Sequence, residues 1–187
     1  MTQLPLPITP KDALRQILLP AWRLLPPSMS TVQAQVFVLV VMLQESNLKD
    51  RWQVIDLNRP DVMGPARGLA QFELGKKGTG AGVWGVFEHK SSRYWLAQVC
   101  AALRVAFEPR AIWTALSTND ALAACLARLL AFTDPRPLPA VGDVEGAWAY
   151  YLRNWRPGAY TNGSAAKRAK LREKFRRNYQ LASQATA

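Results

Sequence analysis

Hydrophobic positions along the chain fall into helical periods that are broken by clusters of proline and glycine. After an extended entry containing Pro5, Pro7 and Pro10, the residues Leu14, Ile17, Leu18 and Ala21 recur at helical spacing until Pro26-Pro27 stops the pattern, which predicts a first amphipathic helix. Ser30 followed by Gln33 has the form of a capping box. The segment from there to Ser46 is apolar on nearly every side, through Val36, Phe37, Val38, Leu39, Val40, Val41, Met42 and Leu43. Its many β-branched residues would also suit a buried strand, but the capping form and the length favour a helix. A helix without a polar face belongs in the middle of a domain.

Regular periodicity is lost from Asn47 to Glu88, where Gly64, Gly68, Gly75, Gly78, Gly80, Gly82 and Gly85 fall. Long irregular stretches within compact domains tend to carry function. Ser92 to Phe107 reads as a helix through Trp95, Val99, Leu103 and Ala106 that ends near Pro109. Asn119 is placed to cap the next helix, which carries Leu122, Cys125, Leu126 and Leu129. Pro135, Pro137 and Pro139 make a stiff connector to a helix capped by Asp143, with Trp148, Tyr151, Leu152 and Trp155 at i, i+3, i+4 and i+7 and a stop at Pro157-Gly158. After an Asn162-Gly163 turn, residues 164–187 read as a basic amphipathic helix. Leu171, Phe175, Tyr179 and Ala182 lie on one face, with Lys167, Arg168, Lys170, Arg172, Lys174, Arg176 and Arg177 around the rest. The pattern predicts a mostly α fold, one domain spanning residues 1–187 around a buried central helix.

Composition is consistent with that reading, since 187 residues of which 49% are apolar suffice for one sizeable core. The charge narrows the partners: 24 Lys and Arg against 13 Asp and Glu leave +11. Such a field attracts nucleic acid, anionic membrane surface, or the acidic polymers and stem-peptide carboxylates of a bacterial cell wall. Cys100 and Cys125 lie in apolar stretches without metal-ligand spacing and read as small buried hydrophobes, with a disulfide between them left open. His89 is the sole histidine, which argues against a His/Cys zinc site, and neither a metal nor another cofactor is expected. His89 itself reads as a turn residue rather than a catalyst. The longest apolar run, Val36 to Leu43, is eight residues, too short to span a bilayer. Met1 to Pro10 lacks the basic start of a secretory signal, so the expectation is a monomer made in the cytoplasm without a signal peptide.

Glu45 is the candidate for chemistry, because it stands where the apolar helix runs out. Desolvation by neighbouring hydrophobes and the negative end of the helix dipole both disfavour a carboxylate there. A carboxyl that keeps its proton near neutral pH is able to donate it to a glycosidic oxygen. Downstream, Gln71 follows Glu45 by 26 residues within Arg67-Gly68-Leu69-Ala70-Gln71-Phe72-Glu73.

Gln44-Glu45-Ser46-Asn47-Leu48 together with Gly68-Leu69-Ala70-Gln71 resembles the lytic-transglycosylase branch of the lysozyme-like superfamily. Gly82-Val83-Trp84-Gly85-Val86-Phe87-Glu88-His89 and the segment from Trp148 to Gly158 are similar to lysozyme-like proteins carried by tailed bacteriophages. The resemblance covers roughly residues 30 to 158. It implies a lysozyme-like fold, Glu45 as acid/base, and sugar contacts from Ser46 beside the acid and from Gln71 and its neighbours, with Tyr151 close to the acid. Ala70 stands where the family's segment has methionine. Sugar sites combine aromatic faces with amide, hydroxyl and guanidinium donors, and Gln71, Phe72, Trp84, Tyr151 and Arg156 supply such groups. Trp148, Tyr151 and Trp155 share a helical face and equally fit a core.

A second carboxylate would decide between hydrolytic mechanisms. Glu73 is the first candidate, with Asp50, Asp56 and Asp61 behind it, whereas a lytic transglycosylase uses the substrate's own 6-hydroxyl and needs none. The expected substrate is the glycan strand of peptidoglycan, cleaved between N-acetylmuramic acid and N-acetylglucosamine during phage lysis or wall penetration, with the protein acting at the wall after release or within a virion. Two readings compete with it: a basic nucleic-acid-binding protein, and a non-catalytic wall-binding or virion protein of the same fold. The C-terminal helix suits an anionic wall polymer, and equally a solvated face that packs Leu171 and Phe175 on the core.

Overall fold

The computed structural model describes residues 3–187 and is mostly helical, with 58% of the residues in helices. The first helical run consists of α1 (Pro10–Asp12), a π-helical stretch (Ala13–Leu18) and α2 (Leu19–Trp22). Thr9 caps it by accepting from the Asp12 N–H. A 3-10 turn at Pro27–Met29 leads to α3 (Val32–Ser46). The cap of α3 is Thr31, whose hydroxyl accepts from the Ala34 N–H, so the capping residue is one position later than Ser30.

α3 is the centre of the molecule. Val36 to Leu43 are each no more than 6% exposed, as the absence of a polar face requires. The segment after it is not wholly irregular, as the sequence had suggested. Strands β1 (Trp52–Val54) and β2 (Met63–Arg67) pair antiparallel, with Trp52 opposite Arg67 and Val54 opposite Met63. Two steps along β1 therefore match four along β2, and Pro65, which has no N–H for a ladder, falls in the resulting bulge. Their short length and the bulge hide them from a period-2 search. Further on, α4 (Gly82–Glu88) forms within the glycine-rich stretch.

α5 (Arg93–Leu103) is shorter than the sequence pattern implied. It stops at Arg104, which is left-handed at φ 56°, and Pro109 does not terminate it but opens α6 (Pro109–Ala115). Proline is tolerated at the first helical position because that N–H has no partner in any case. α7 (Asp120–Thr133), capped by Asn119, is buried from Asp120 through Ala131. Its alanines let neighbours approach closely: the Trp22 indole donates to the Ala124 carbonyl at 3.1 Å, and the Cys125 thiol to Ala21 at 3.3 Å. Cys100 and Cys125 are both buried free thiols. α8 (Val144–Trp155) is capped by Asp143, the short α9 (Gly158–Thr161) follows, and α10 (Ala165–Thr186), capped by Ser164, packs along α3. Among the described residues no helix is long and apolar enough to cross a membrane.

The loop leaving α3 is tied to α7 by an ion pair. Arg51 Nε and Nη2 donate to the two Asp120 carboxylate oxygens at 2.7 Å each, and Nη2 also reaches the Leu4 carbonyl at 2.7 Å. Both side chains are about nine-tenths buried. Removing one partner of a buried pair leaves an uncompensated charge. Asp120→Asn is therefore expected to cost about 3–5 kcal/mol of stability in urea unfolding. A loss under about 1 kcal/mol, the range of an exposed pair, would contradict this account.

Candidate active site

Glu45 occupies the last turn of α3, and two consecutive left-handed residues, Asn47 at φ 52° and Leu48 at φ 57°, turn the chain away immediately after it. Neither is glycine, so this exit is strained and must be held by its surroundings. Leu48 is fully buried, its carbonyl accepts from the Ile8 N–H, and its own N–H donates to the Ser46 hydroxyl.

The Glu45 carboxyl is ringed by protein while the residue keeps part of its surface open. Burial pushes its pKa from the ordinary 4.5 up to about 7. Two neighbours oppose that rise: the Tyr151 hydroxyl, which donates to Glu45 Oε1 at 2.5 Å, and the Lys174 ammonium. Tyr151 is 3% exposed, and its phenol holds its proton far more tightly than usual, first through burial and then through the adjacent carboxyl. Its ring is fixed by stacking on Trp148 (5.5 Å between centroids) and Trp155 (6.4 Å), with Phe175 of α10 tilted against it at 5.3 Å. The aromatic face of α8 is thus core and aiming device at once.

Lys174 is half-buried and donates to the Gln44 carbonyl at 2.6 Å. Burial pulls its pKa down and Glu45 acts to raise it. The buried Gln44 side chain is satisfied by the same helix, accepting from Asn178 at 2.9 Å and donating to the Leu171 carbonyl at 3.3 Å.

The third component is the loop Gly68–Gln71. Arg67 and Phe72 exchange backbone hydrogen bonds at 2.9 and 2.8 Å, closing four residues between them. Gly68 is left-handed at φ 72°, and a Cβ there would lie 3.1 Å from that of Ala123 on α7, so glycine meets both requirements. Two side chains clamp the loop to the helices that carry Glu45 and Tyr151. The Ser46 hydroxyl donates to the Leu69 carbonyl at 2.8 Å, with the Met42 carbonyl also within 3.0 Å, and the Trp155 indole donates to Ala70 at 3.2 Å.

The residues expected from sequence divide accordingly. Glu45, Ser46, Gln71 and Tyr151 belong to this assembly. Gln71 is half-buried and left-handed at φ 50°, with its amide donating to the Gly68 carbonyl at 2.9 Å. Ser46 is 5% exposed and spends its hydroxyl on the backbone, so it positions the loop and offers no open contact to a sugar. Phe72 is 3% exposed and packs on Trp155, which makes it core and corrects its assignment as a sugar platform. Trp84 lies on α4, partly exposed and edge-on to Phe87. Arg156 is exposed as the left-handed end of α8, its Nε turned back to the Arg153 carbonyl at 3.4 Å. Glu73 has an exposed side chain, and its carbonyl accepts from the Val83 N–H. Asp56 is held by Arg59 and the Asn58 N–H beyond β1, which lowers its pKa. The groups that act on Glu45 are Tyr151 and Lys174 rather than any of these carboxylates.

Lys174 was not anticipated. The signal was available, since 171, 174, 175, 178 and 182 trace one stripe of a helix and a lysine within it must be half-buried. Pronounced hollows of the surface lie elsewhere, beside β1 and between the N-terminal segment and α7. Among the described residues, no group of three or more His, Cys, Asp or Glu is arranged to hold a metal. Comparison with known protein families, characterised proteins and solved structures gives no match.

Raising a carboxyl's pKa on folding costs stability once the unfolded chain ionises. That cost is absent below pH 4.5, grows as pH rises, and is complete above about pH 7, where it is on the order of 3 kcal/mol. Glu45→Gln, with no charge to bury, is expected to be more stable than the wild type by about 1–3 kcal/mol at pH 8 and no different at pH 4. Urea unfolding at both values measures it, and a less stable variant at pH 8 would refute the assignment. Tyr151→Phe removes a donor to the carboxylate, so the Glu45 pKa should move above its wild-type value of about 7 in an NMR titration.

Proposed function

We propose that the chain is a peptidoglycan-cleaving enzyme with a lysozyme-like arrangement, in which Glu45 is the acid/base that breaks the β-1,4 bond between N-acetylmuramic acid and N-acetylglucosamine. The observation that carries this reading is a desolvated carboxyl at the end of a buried helix, on a residue that keeps part of its surface open, with a pKa near 7, hydrogen-bonded to Tyr151 and backed by the clamped Gly68–Gln71 loop. At pH 7 such a group is divided between acid and base forms, which suits a residue that must give up a proton and take one back.

In this mechanism Glu45 protonates the glycosidic oxygen as the bond to C1 breaks and positive charge develops on the sugar. The carboxylate left behind is stabilised by the Tyr151 hydroxyl and the Lys174 ammonium. It then accepts the proton of the muramyl 6-hydroxyl as that oxygen closes on C1, giving a 1,6-anhydro end. The proton returns to Glu45, and nothing besides the substrate is consumed. With Tyr151 and Lys174 as the groups acting on Glu45, this lytic-transglycosylase route is favoured over hydrolysis assisted by Glu73. The partly exposed Gln71 and the exposed Arg156 are the side chains proposed to orient the glycan. On α10, Arg172 pairs with Glu145, Arg177 with Glu173, and Arg168 donates to the carbonyls of Tyr160 and Thr161. Lys167, Lys170 and Arg176 stay exposed and suit an anionic wall polymer. A role in phage lysis or in wall opening by a virion follows from the same reading.

Purified sacculi digested with the wild type should release muropeptides with anhydro ends, identified by mass spectrometry. Glu45→Gln should lower that release at least about a hundredfold while remaining folded. Release by the variant at the wild-type rate would refute the proposal, and reducing ends in place of anhydro ends would replace transglycosylation by hydrolysis.

A further inference from the structure

The opposite end of α3 faces a hollow lined by Thr31, Gln33, Arg128, Phe132, Arg136 and Tyr150. Arg128 is an unusual wall residue because it is only 6% exposed. Its Nε donates to the Met29 carbonyl at 2.7 Å, and among the described residues no acidic side chain pairs with it. The acid on the same wall is already engaged: Asp134 accepts from Arg153 at 2.6 Å, from Asn154 at 2.9 Å and from the Arg136 N–H at 3.0 Å. Tyr150 supplies no counter-charge either, because its hydroxyl donates to the Ala131 carbonyl and its pKa is pushed up to about 12. Besides the Met29 carbonyl, the guanidinium is compensated by the Phe132 ring, 5.7 Å from its central carbon.

A largely buried guanidinium without a counter-charge is costly, and an oxyanion bound at its remaining N–H groups offsets that cost with charge-assisted hydrogen bonds. The start of α3 adds to the attraction. Thr31 already satisfies the Ala34 N–H, and the rest of the first turn presents unpaired N–H groups at the positive end of a 15-residue helix dipole. Arg136 stands on the rim with its side chain 65% exposed, paired with Asp134 only through a long Nε–Oδ1 contact of 3.7 Å.

We propose that this hollow binds an oxyanion, the carboxylate or phosphate of a small ligand, with Arg128 as its anchor. The first turn of α3 and Arg136 complete the charge complement, and Phe132 offers an apolar face to the body of the ligand. The site lies at the far end of a 15-residue helix from Glu45, roughly 20 Å away, and does not depend on the proposed chemistry there.

The test is titration of the full chain with inorganic phosphate, and separately with acetate, at constant ionic strength. The readouts are the arginine Nε–H resonances and the thermal unfolding midpoint. The Arg128 resonance, identified by its loss in Arg128→Lys, is expected to shift saturably while the midpoint rises. Saturation by phosphate alone assigns a phosphoryl ligand, and by acetate alone a carboxylate. Arg136→Gln should weaken the affinity about two- to fivefold with the fold intact. Arg128→Met should weaken it at least about thirtyfold. Should Arg128→Met not fold, the wild-type titration and Arg136→Gln decide the matter. Linear, unsaturating responses to both anions, or an Arg128 resonance that stays fixed while others move, would overturn the proposal.

Discussion

A helix with no polar side cannot be solvated on any side, so α3 must be covered all round, and that constraint organises the rest of the chain. The first helical run, α7, α8 and α10 meet this demand in different ways. α7 contributes small residues that permit close approach, α8 a row of aromatic rings, and α10 an apolar stripe with a charged exterior. Only the two ends of α3 are left for polar chemistry. One end carries Glu45 and the other faces the hollow that contains Arg128.

Burial has opposite effects on these two charged groups. Glu45 can answer desolvation by keeping its proton, and its pKa rises to about 7. Arginine releases its proton far less readily, so burial of Arg128 leaves a charge that must find a partner or remain costly. The same dry interior therefore yields a titratable group at one end of α3 and a fixed cation at the other.

What was legible in the sequence was whatever a single local pattern encodes. The all-apolar run marked α3, Asn119 and Asp143 capped the helices they precede, and the aromatic spacing marked the inner face of α8. What escaped notice depends on contacts between distant segments. The β1–β2 pair is short and bulged, so its alternation is lost, and α4 lies among glycines that lower its propensity. Around Glu45, local reasoning found the carboxyl and the physical cause of its proton affinity. It assigned Phe72 and Ser46 to the substrate because their chemistry suits one, whereas packing and backbone hydrogen bonds had already engaged both. Lys174 lies 129 positions after Glu45, and no local pattern links the two.

That separation bears on the order in which the protein takes shape. A ribosome releases Glu45 and the whole of α3 long before Lys174 and Phe175, and until α10 emerges the last turn of α3 has neither its cation nor the ring that backs Tyr151. Until α10 is in place the nascent chain thus exposes an apolar helix surface, and α10 both covers that surface and completes the electrostatic setting of the carboxyl. The electrostatic setting of Glu45 is therefore tied to the packing of α10 along α3.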